Sequence, residues 1–373
     1  KSGIPALLDR TADVEKAVRE FRLAMGKRIQ RYSWEELVHN QPDLESRLKD
    51  LATSSSKLVE ILAKAADSGD HLERCYERAA SIGGQISKLL EQLDSNTIRW
   101  VDVTRFGFRI CETPINPGPV LAKIFSRRNT SMVFTSATLT VAGDFGHFRS
   151  QMGLGEVDEY SWGSPFNFAD QTLLYLPEGL PDPREENYQR ALSEHMEPIF
   201  KSSRGRAFML FTSYKAMKAA AEYYIDRTDF KVLVQGDKPK AELLEAFQRN
   251  PKVILCATMG FWEGVDVQGD DLVVVMLDKL PFESPGDPVL KSRLARMEKD
   301  GLNPFMEYQV PRAVIKMRQG AGRLIRDFDD YGVLIIADPR TRSKRYGKKF
   351  LESLSEMPQT SDRNLVSNFL ASI

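Results

Sequence analysis

The sequence predicts an α/β protein in which a parallel sheet carries helices on both faces and an all-helical segment precedes it. Two observations predict this class. Beyond about residue 170, near-continuous apolar runs of strand length alternate with amphipathic runs of helix length, as in parallel sheets buried on both faces. Before about residue 98, apolar residues recur at spacings of three and four, which indicates helices.

The composition excludes some classes of protein. Lysine plus arginine and aspartate plus glutamate each count 52 in 373 residues, so nucleic-acid binding requires a local basic patch. No apolar run approaches the ~20 residues of a membrane span, and no basic segment precedes such a run. We therefore expect no membrane association, no signal peptide and a cytoplasmic location.

The three cysteines, Cys75, Cys111 and Cys256, form no Cys-x-x-Cys or His/Cys cluster. The sequence thus offers no ligand set for zinc or an iron–sulfur cluster. We expect three reduced thiols that behave as small buried hydrophobic side chains.

Residues 1–97 are predicted to form amphipathic helices. Three apolar stripes have helical spacing, and Ser-Gly-Asp at 68–70 separates the second from the third. A plain helical bundle or coiled-coil hairpin explains this segment. The stripes are Val14, Val18, Phe21, Met25 and Ile29; Leu44, Leu48, Leu51, Leu58, Leu62 and Ala65; and Leu72, Cys75, Ala79, Ile82, Ile86, Leu89 and Leu93.

The pattern changes at about residue 98. Alternating β-branched and aromatic residues predict one or two strands up to residue 115, and Pro119 opens a predicted helix. Residues 130–138 are predicted to form a short buried strand that runs into a Ser/Thr turn. Further strands are predicted at "RAFMLFTS", "KVLVQG", "KVILCAT", "LVVVMLD" and "YGVLIIADPR", with helices at "YKAMKAAAEYYIDR", "PKAELLEAFQRN" and "PRAVIKMRQGAGRLIR".

The residues that follow the predicted strands are candidates for a site, since ligands of parallel sheets gather at the carboxyl ends of strands. Four such exits carry hydroxyls, glycines or carboxylates, which bind phosphates well but are also common in turns. They are Thr135–Thr138, Thr212–Tyr214, residues 257–272 and residues 280–288.

The stretch "QGAGRLIRDF" at 319–328 adds positive charge. Helical spacing would place Arg323 and Arg326 on one face, with Gln319 one turn before them. Such a face suits a polyanion, and the alternative is a surface arginine pair of little energetic consequence.

Together, "TSATL", "LFTSY", "ATMGFWEGVDVQGDDL" with "LDKLPFESPGDP", and "QGAGRLIR" resemble motifs III, IV, V and VI of superfamily 2 helicases. The form "FWEGVD" followed by "LPF" resembles the XPD/Rad3-like branch, and the bacterial DinG/YoaA group within it. The resemblance covers roughly residues 98–373. It implies a helical Arch-like segment at 1–97, the C-terminal part of a RecA-like motor domain 1 at 98–168, and motor domain 2 at 169–373.

The resemblance also assigns roles to side chains. One motif VI arginine would act as an arginine finger on the γ-phosphate, because a guanidinium is always charged and matches phosphate oxygens. Phe261 and Trp262 have two open interpretations, packing in the core or stacking on bases of a single strand. The implied catalytic residues are Gln319, Arg323 and Arg326; the nucleotide-binding residues are Glu263, Gly264 and Asp266; and the DNA-binding residues are Ser136, Thr138, Thr212, Ser213, Thr258, Phe261 and Trp262.

The sequence lacks a Gly-x-x-x-x-Gly-Lys-Ser/Thr phosphate loop, an Asp-Glu-x-His magnesium motif and the four cluster cysteines of this family. The resemblance implies that all three lie upstream. We therefore expect the C-terminal part of an ATP-dependent 5′–3′ DNA helicase of repair or replication, inactive alone and binding no metal or cofactor alone. The whole enzyme would use ATP, Mg²⁺ and a [4Fe–4S] cluster, and its partners would be single-stranded DNA and a replication or repair protein.

An alternative from another class is a non-enzymatic adaptor that keeps a helicase-like sheet only to bind a protein or nucleic acid. Both motif VI arginines, Arg323 and Arg326, argue against this alternative, because an adaptor has no need of them.

Overall fold

The computed structural model describes residues 3–127, 130–262, 271–354 and 356–373. Its first elements are α1 (Gly3–Ala24), β1 (Arg31–Ser33), α2 (Trp34–Asn40), α3 (Leu44–Ala65), α4 (Asp70–Lys88), β2 (Thr97–Val103), β3 (Phe108–Pro114) and α5 (Gly118–Ser126). Then follow α6 (Gly146–Met152), α7 (Phe168–Gln171), β4 (Thr172–Tyr175), α8 (Tyr188–Ser202), β5 (Ala207–Phe211), α9 (Tyr214–Ile225), β6 (Lys231–Val234), α10 (Lys240–Gln248) and β7 (Val253–Thr258). The last are β8 (Val274–Leu277), α11 (Pro288–Lys299), α12 (Val310–Ala321), β9 (Gly332–Ile336), α13 (Arg340–Ser343), α14 (Gly347–Glu352), β10 (Gln359–Thr360) and α15 (Arg363–Ser372).

The chain forms two compact units. Unit 1 contains Lys1–Val120 and Ser284–Asp300, and unit 2 contains Leu121–Glu283 and Gly301–Ile373. The two units are defined by contacts within the chain and not by function. The division into an Arch-like segment and two motor-domain parts therefore stays a prediction.

Unit 1 contains the predicted helices and a three-stranded antiparallel sheet in the order β1-β2-β3. Phe21 of α1 and Leu48 of α3 are buried in one core with Val101 of β2. The predicted strands between 98 and 115 are confirmed as the β2–β3 hairpin. Strand β1 was not predicted, because three residues are too few to show an alternating pattern.

The expectation of three buried thiols is wrong for Cys75. Cys75 is exposed on α4 and Cys111 is half-buried, whereas Cys256 is fully buried in β7. Burial raises the pKa of the Cys256 thiol to about 12. The helical stripe that contains Cys75 is only partly covered, because spacing along a helix does not show how much of its face a neighbour covers.

Unit 2 is built on a parallel sheet of seven strands in the order β10-β4-β9-β8-β5-β7-β6. Helices α10 and α12 contribute to the core on one face, and α8, α9 and α15 contribute to the core on the other. Successive side chains point to opposite faces, so Leu255 lies in the first core and Cys256 in the second. The predicted α/β class is thus confirmed, and no helix in the described ranges is long and apolar enough to cross a membrane.

The strand predicted at 130–138 is wrong. Residues 131–136 have no regular structure, and Val133 is 89 % exposed. A strand must pair its backbone groups with a neighbour, and no strand of the described residues pairs with this segment. The apolar pattern shows that residues 131–134 could pack in a sheet, but not that a neighbouring strand is present.

Candidate active site at the two edges of the sheet

The predicted site residues lie at two opposite edges of the sheet in unit 2. Strands β5, β7 and β8 are parallel neighbours, so Thr212, Met259 and Asp278 follow them at the carboxyl edge. The turn between α12 and β9 lies at the amino edge, because it leads into the first residue of β9, Gly332. The arginines of this turn therefore lie at the edge opposite the strand exits.

At the carboxyl edge, Thr212 is held by a buried carboxylate. The Thr212 backbone N–H donates to Asp278 Oδ1 at 2.9 Å, and its hydroxyl lies 3.4 Å from Asp278 Oδ2. Ser213 Oγ accepts from the backbone N–H of Ala216 at 3.2 Å and caps α9. Both hydroxyl-bearing residues are exposed at the N-terminus of a helix, where backbone N–H groups and the helix dipole favour a phosphate.

Asp278 is fully buried at the end of β8. Burial raises the pKa of its carboxyl to about 7, against the opposing effects of the Thr212 N–H and of the charge and backbone N–H of Lys279. The group therefore titrates near neutral pH. Its proton occupancy sets how strongly the Thr212 N–H is held, because an ionised acceptor makes the stronger hydrogen bond.

A second buried carboxylate, Asp338, follows β9. Asp338 Oδ2 accepts from the backbone N–H of Leu280 at 2.8 Å and pairs with Arg340 Nη2 at 2.5 Å. The Tyr188 hydroxyl contacts the carbonyl oxygens of Asp278 and Ala337, and burial raises its pKa. The start of the "LPFESPGDP" segment is thus fixed to the ends of two neighbouring strands.

Thr258 ends β7 and is fixed by the neighbouring strand. Its backbone N–H and its hydroxyl both donate to Gln235 Oε1, at 2.7 and 2.9 Å. Phe261 is buried in the core on the α12 side of the sheet, with Lys240 Nζ 5.2 Å from its ring centroid. Of the two interpretations of Phe261, the structure therefore favours packing over base stacking.

Part of the predicted site lies outside the described residues. Glu263, Gly264 and Asp266 fall in the gap between 262 and 271. Trp262 ends the 3₁₀ turn Met259–Trp262, but its side chain is not described either. The nucleotide-binding roles of the first three residues and the stacking role of Trp262 stay predictions.

At the amino edge, α12 ends sooner than predicted. The helix stops at Ala321, and the backbone N–H groups of Arg323 and Leu324 donate three residues back, to Gly320 and Ala321. Arg323 and Arg326 therefore lie in the turn after the helix, and the prediction that they share a helical face is wrong. The physical reason is burial, since the turn places Leu324 and its neighbour Ile325 in the core.

The arginine turn is organised by Asp330. Asp330 Oδ2 accepts from the backbone N–H groups of Arg326 and Asp327, at 2.7 and 2.8 Å. Gln171 Nε2 donates to the carbonyl oxygens of Phe328 and Asp330, at 2.7 and 2.9 Å, and ties the turn to the start of β4. The half-buried Arg326 guanidinium has its pKa lowered by burial, with Asp330 opposing this effect. A partly desolvated guanidinium is suited to bind an anion.

The Ser/Thr turn at 136–138 lies with the arginines and not with Thr212. Ser136 Oγ lies 3.2 Å from Thr138 Oγ1 and accepts from the Thr138 backbone N–H at the same distance. Arg318, in the last turn of α12, donates to the carbonyl oxygens of Ala137 and Thr140 at 2.6 and 2.7 Å. The predicted DNA-binding residues are thus divided between the two edges.

Three residues of this arrangement were missed in the sequence. Asp278 directly follows one continuous apolar strand, and Asp338 follows another after a single residue. A carboxylate at the end of an apolar strand was the signal that the sequence offered. Arg318 precedes Gln319, but nothing local shows that its partners are carbonyl groups about 180 residues away. Within the described ranges, no group of three or more His, Cys, Asp or Glu side chains could hold a metal ion.

Comparison with known proteins identifies relatives of the chain. A family model described as Helicase C-terminal domain matches residues 196–357. The chain is 37 % identical over 95 % of its length to the ATP-dependent DNA helicase YoaA of Haemophilus influenzae, and 36 % over 98 % to that of Escherichia coli. It is 30 % identical over 88 % of its length to the 3′-5′ exonuclease DinG of Bacillus subtilis. It spans 56 %, 57 % and 38 % of these three proteins.

Solved structures share the fold at low sequence identity. A structure titled XPD helicase aligns with a TM-score of 0.58 and 16 % identity, over 96 % of this chain and 64 % of that chain. The structure of S. tokodaii Xpd4 aligns with a TM-score of 0.54 and 16 % identity, over 94 % of this chain and 66 % of that chain. At this identity the two structures show the fold alone, and they agree with the helicase-like architecture expected from the motifs.

Proposed function

Because the chain belongs to the DinG/YoaA group of XPD/Rad3-like helicases, we propose that the full-length protein is an ATP-dependent helicase that moves 5′ to 3′ on single-stranded DNA. The chain spans little more than half the length of its YoaA relatives, so the proposal concerns a longer protein. Identities of 37 and 36 % to two YoaA proteins, against 30 % to a DinG protein, support a YoaA-type member.

The observation that carries the proposal is the arginine turn at the amino edge. Arg323 and Arg326 follow Gln319 in a turn fixed by Asp330, within the segment that matches a helicase C-terminal domain. We assign Arg326 and Arg323 to the γ-phosphate of ATP, where an arginine stabilises the charge of the transferring phosphoryl group. Gln319, exposed at the end of α12, would orient the attacking water.

The nucleotide requires groups that this sequence does not contain. The phosphate loop and the magnesium ligands would come from residues upstream, together with a [4Fe–4S] cluster. The resemblance implies that Glu263, Gly264 and Asp266 would complete the nucleotide side. We therefore expect the 373 residues alone to hydrolyse no ATP in response to DNA.

Single-stranded DNA would bind along the carboxyl edge. Thr212, Ser213 and Thr258 offer hydroxyls there, and the N-terminus of α9 offers backbone N–H groups to the phosphates. Trp262 would stack on a base. Ser136 and Thr138 lie beside the end of α12, where they would link DNA contact to the nucleotide. The proposed enzyme would act in the cytoplasm, in DNA repair or replication. It would also bind a protein of those processes.

The test is steady-state ATP hydrolysis by the full-length protein with and without single-stranded DNA. We expect stimulation by DNA, and a loss of turnover of ~10³-fold or more in Arg326→Ala. Arg249→Ala is the matched control, because Arg249 is an exposed arginine at the end of α10 whose ion pair among the described residues is with Glu245, one turn earlier. Turnover without DNA stimulation, or an Arg326→Ala variant as active as the control, would contradict the proposal.

A further inference from the structure

A cavity of about 360 Å³ lies between the first half of α8 and the last half of α9. No residue of this cavity belongs to a helicase motif of the sequence. Its lining residues are Glu186, Gln189, Arg190, Ser193, Ala219, Glu222, Tyr223, Asp226 and Arg227.

The inner wall of the cavity carries polar atoms that lack hydrogen-bond partners among the described residues. Both amide atoms of Gln189 and the hydroxyl oxygen of Ser193 are buried, and none of them has a partner. Ser193 is 1 % exposed. Buried polar atoms nearly always have partners, so a ligand at this wall would supply donors to Gln189 Oε1 and Ser193 Oγ and an acceptor to Gln189 Nε2.

The rim of the cavity is acidic. Glu186, Glu222 and Asp226 are exposed and make no ion pair with any residue of the described ranges. The two arginines of the rim are already engaged, since Arg190 Nε donates to Glu194 at 2.8 Å and the Arg227 guanidinium lies 4.5 Å above the Tyr223 ring. An anionic ligand such as a phosphate would meet uncompensated carboxylates here.

We propose that this cavity binds an arginine side chain of a partner protein, together with the peptide carbonyl next to it. The guanidinium supplies donors to the rim carboxylates, to Gln189 Oε1 and to Ser193 Oγ, in a planar arrangement that carboxylates match. The peptide carbonyl accepts from Gln189 Nε2. The exposed side chain of Arg190 turns aside on entry.

The test is titration of the full-length protein with the peptide Ac-Gly-Arg-Gly-NH₂, followed by calorimetry, beside the analogue in which neutral citrulline replaces arginine. We expect the arginine peptide to bind at least tenfold more tightly than the citrulline peptide. Glu222→Gln/Asp226→Asn should weaken the arginine peptide tenfold or more. The control Glu73→Gln/Glu77→Gln removes two exposed charges from α4 and should change nothing.

Two further variants test the inner wall. Gln189→Leu and Ser193→Ala should each weaken the arginine peptide severalfold and leave the thermal midpoint unchanged or higher, because each removes a buried polar group without a partner. Equal binding of the two peptides, or unchanged binding in Gln189→Leu and Ser193→Ala, would overturn the proposal. So would a fall of several degrees in the midpoint of Ser193→Ala, since the hydroxyl would then have a structural partner.

Discussion

The two edges of the sheet in unit 2 carry different chemistry. At the carboxyl edge, the buried carboxylates Asp278 and Asp338 hold hydroxyl-bearing and backbone groups at the ends of β5 and β8. At the amino edge, Asp330 holds a turn that presents Arg323 and Arg326. The first edge offers neutral donors for a backbone of phosphates, and the second offers fixed positive charge for a single compact anion.

Under the proposed function, this difference would let one sheet separate two ligands that are both phosphates. A DNA backbone needs several weak contacts in a row, because the strand must move along them. A γ-phosphate needs one strong, well-placed cation, because its charge develops only at the transition state. Variants at one edge should therefore change properties that variants at the other edge leave unchanged.

The largest effect on stability is expected at Asp338. Asp338→Ala removes a fully buried carboxylate that holds the Leu280 N–H and the partly buried Arg340 guanidinium, so it should cost about 3 kcal/mol in the free energy of unfolding. Denaturant unfolding measures this loss. Asp182→Ala, which breaks a pair with the highly exposed Arg184, is the control and should leave the free energy of unfolding nearly unchanged. An equal loss in the free energy of unfolding for Asp338→Ala and Asp182→Ala would show that the carboxyl edge does not depend on its buried carboxylate.

Asp278 should make stability depend on pH. Its folded-state pKa of about 7 lies above the unfolded value, so the native state binds more protons between these values and stability falls as pH rises through that range. Asp278→Asn keeps the acceptor for the Thr212 N–H but cannot ionise. As pH rises from roughly 5 to 7, the free energy of unfolding of this variant should therefore increase relative to wild type by about 1 kcal/mol per pH unit. Above roughly pH 8 the difference should not grow further.

Urea unfolding of both proteins at several pH values measures this difference. A constant difference between wild type and Asp278→Asn from pH 5 to 8 would show that Asp278 is already ionised, and so less buried than described.

Arg318 should control the mobility of the Ser/Thr turn. Arg318→Ala removes two hydrogen bonds to the carbonyl oxygens of Ala137 and Thr140, so exchange of the backbone amides at 136–140 should rise about tenfold. Hydrogen–deuterium exchange with peptide-level mass spectrometry measures it. Exchange near Thr212, at the other edge, should not change. An increase of the same size at both places would mean that Arg318 stabilises the unit as a whole.

The smallest effects come from a matched pair of serines. Ser213 caps α9, so Ser213→Ala should cost about 1 kcal/mol in the free energy of unfolding. Ser136 is exposed in a turn with no helix to cap, so Ser136→Ala should cost less than about 0.5 kcal/mol. Thermal unfolding of both variants compares them. A reversed order would contradict the local structures assigned to the two hydroxyls.

Local patterns in the sequence predicted β5 to β9 and the helices α9, α10 and α12, because each strand is a continuous apolar run and each of these helices has one apolar stripe. Helix α11 was not predicted. They could not predict β4 and β10, which are four and two residues long. The segment at 131–134 has the composition of a strand, yet strand formation depends on a neighbour that composition does not specify.

The same limit applies to the site. The motifs located Thr212, Ser213 and the two arginines, because short runs of hydroxyls, glycines and arginines are visible locally. The rule for parallel sheets located the hydroxyls that follow β5 at the carboxyl edge. The arginines lie at the other edge, because their turn leads into the start of β9. The anchor Asp278 had a local signal, a carboxylate directly after an apolar strand. Arg318 depends on contacts with a distant segment and could not be predicted from local patterns.

The most direct test of the two-edge account is to measure kcat for ATP hydrolysis and the Kd for single-stranded DNA in Arg326→Lys of the full-length protein. Lysine keeps the positive charge but lacks the planar guanidinium. The account predicts that kcat falls by ~10³-fold, as in Arg326→Ala, while the Kd for DNA stays within about twofold of wild type. A nearly active Arg326→Lys, or a loss confined to DNA binding, would contradict the assignment of nucleotide chemistry to the amino edge.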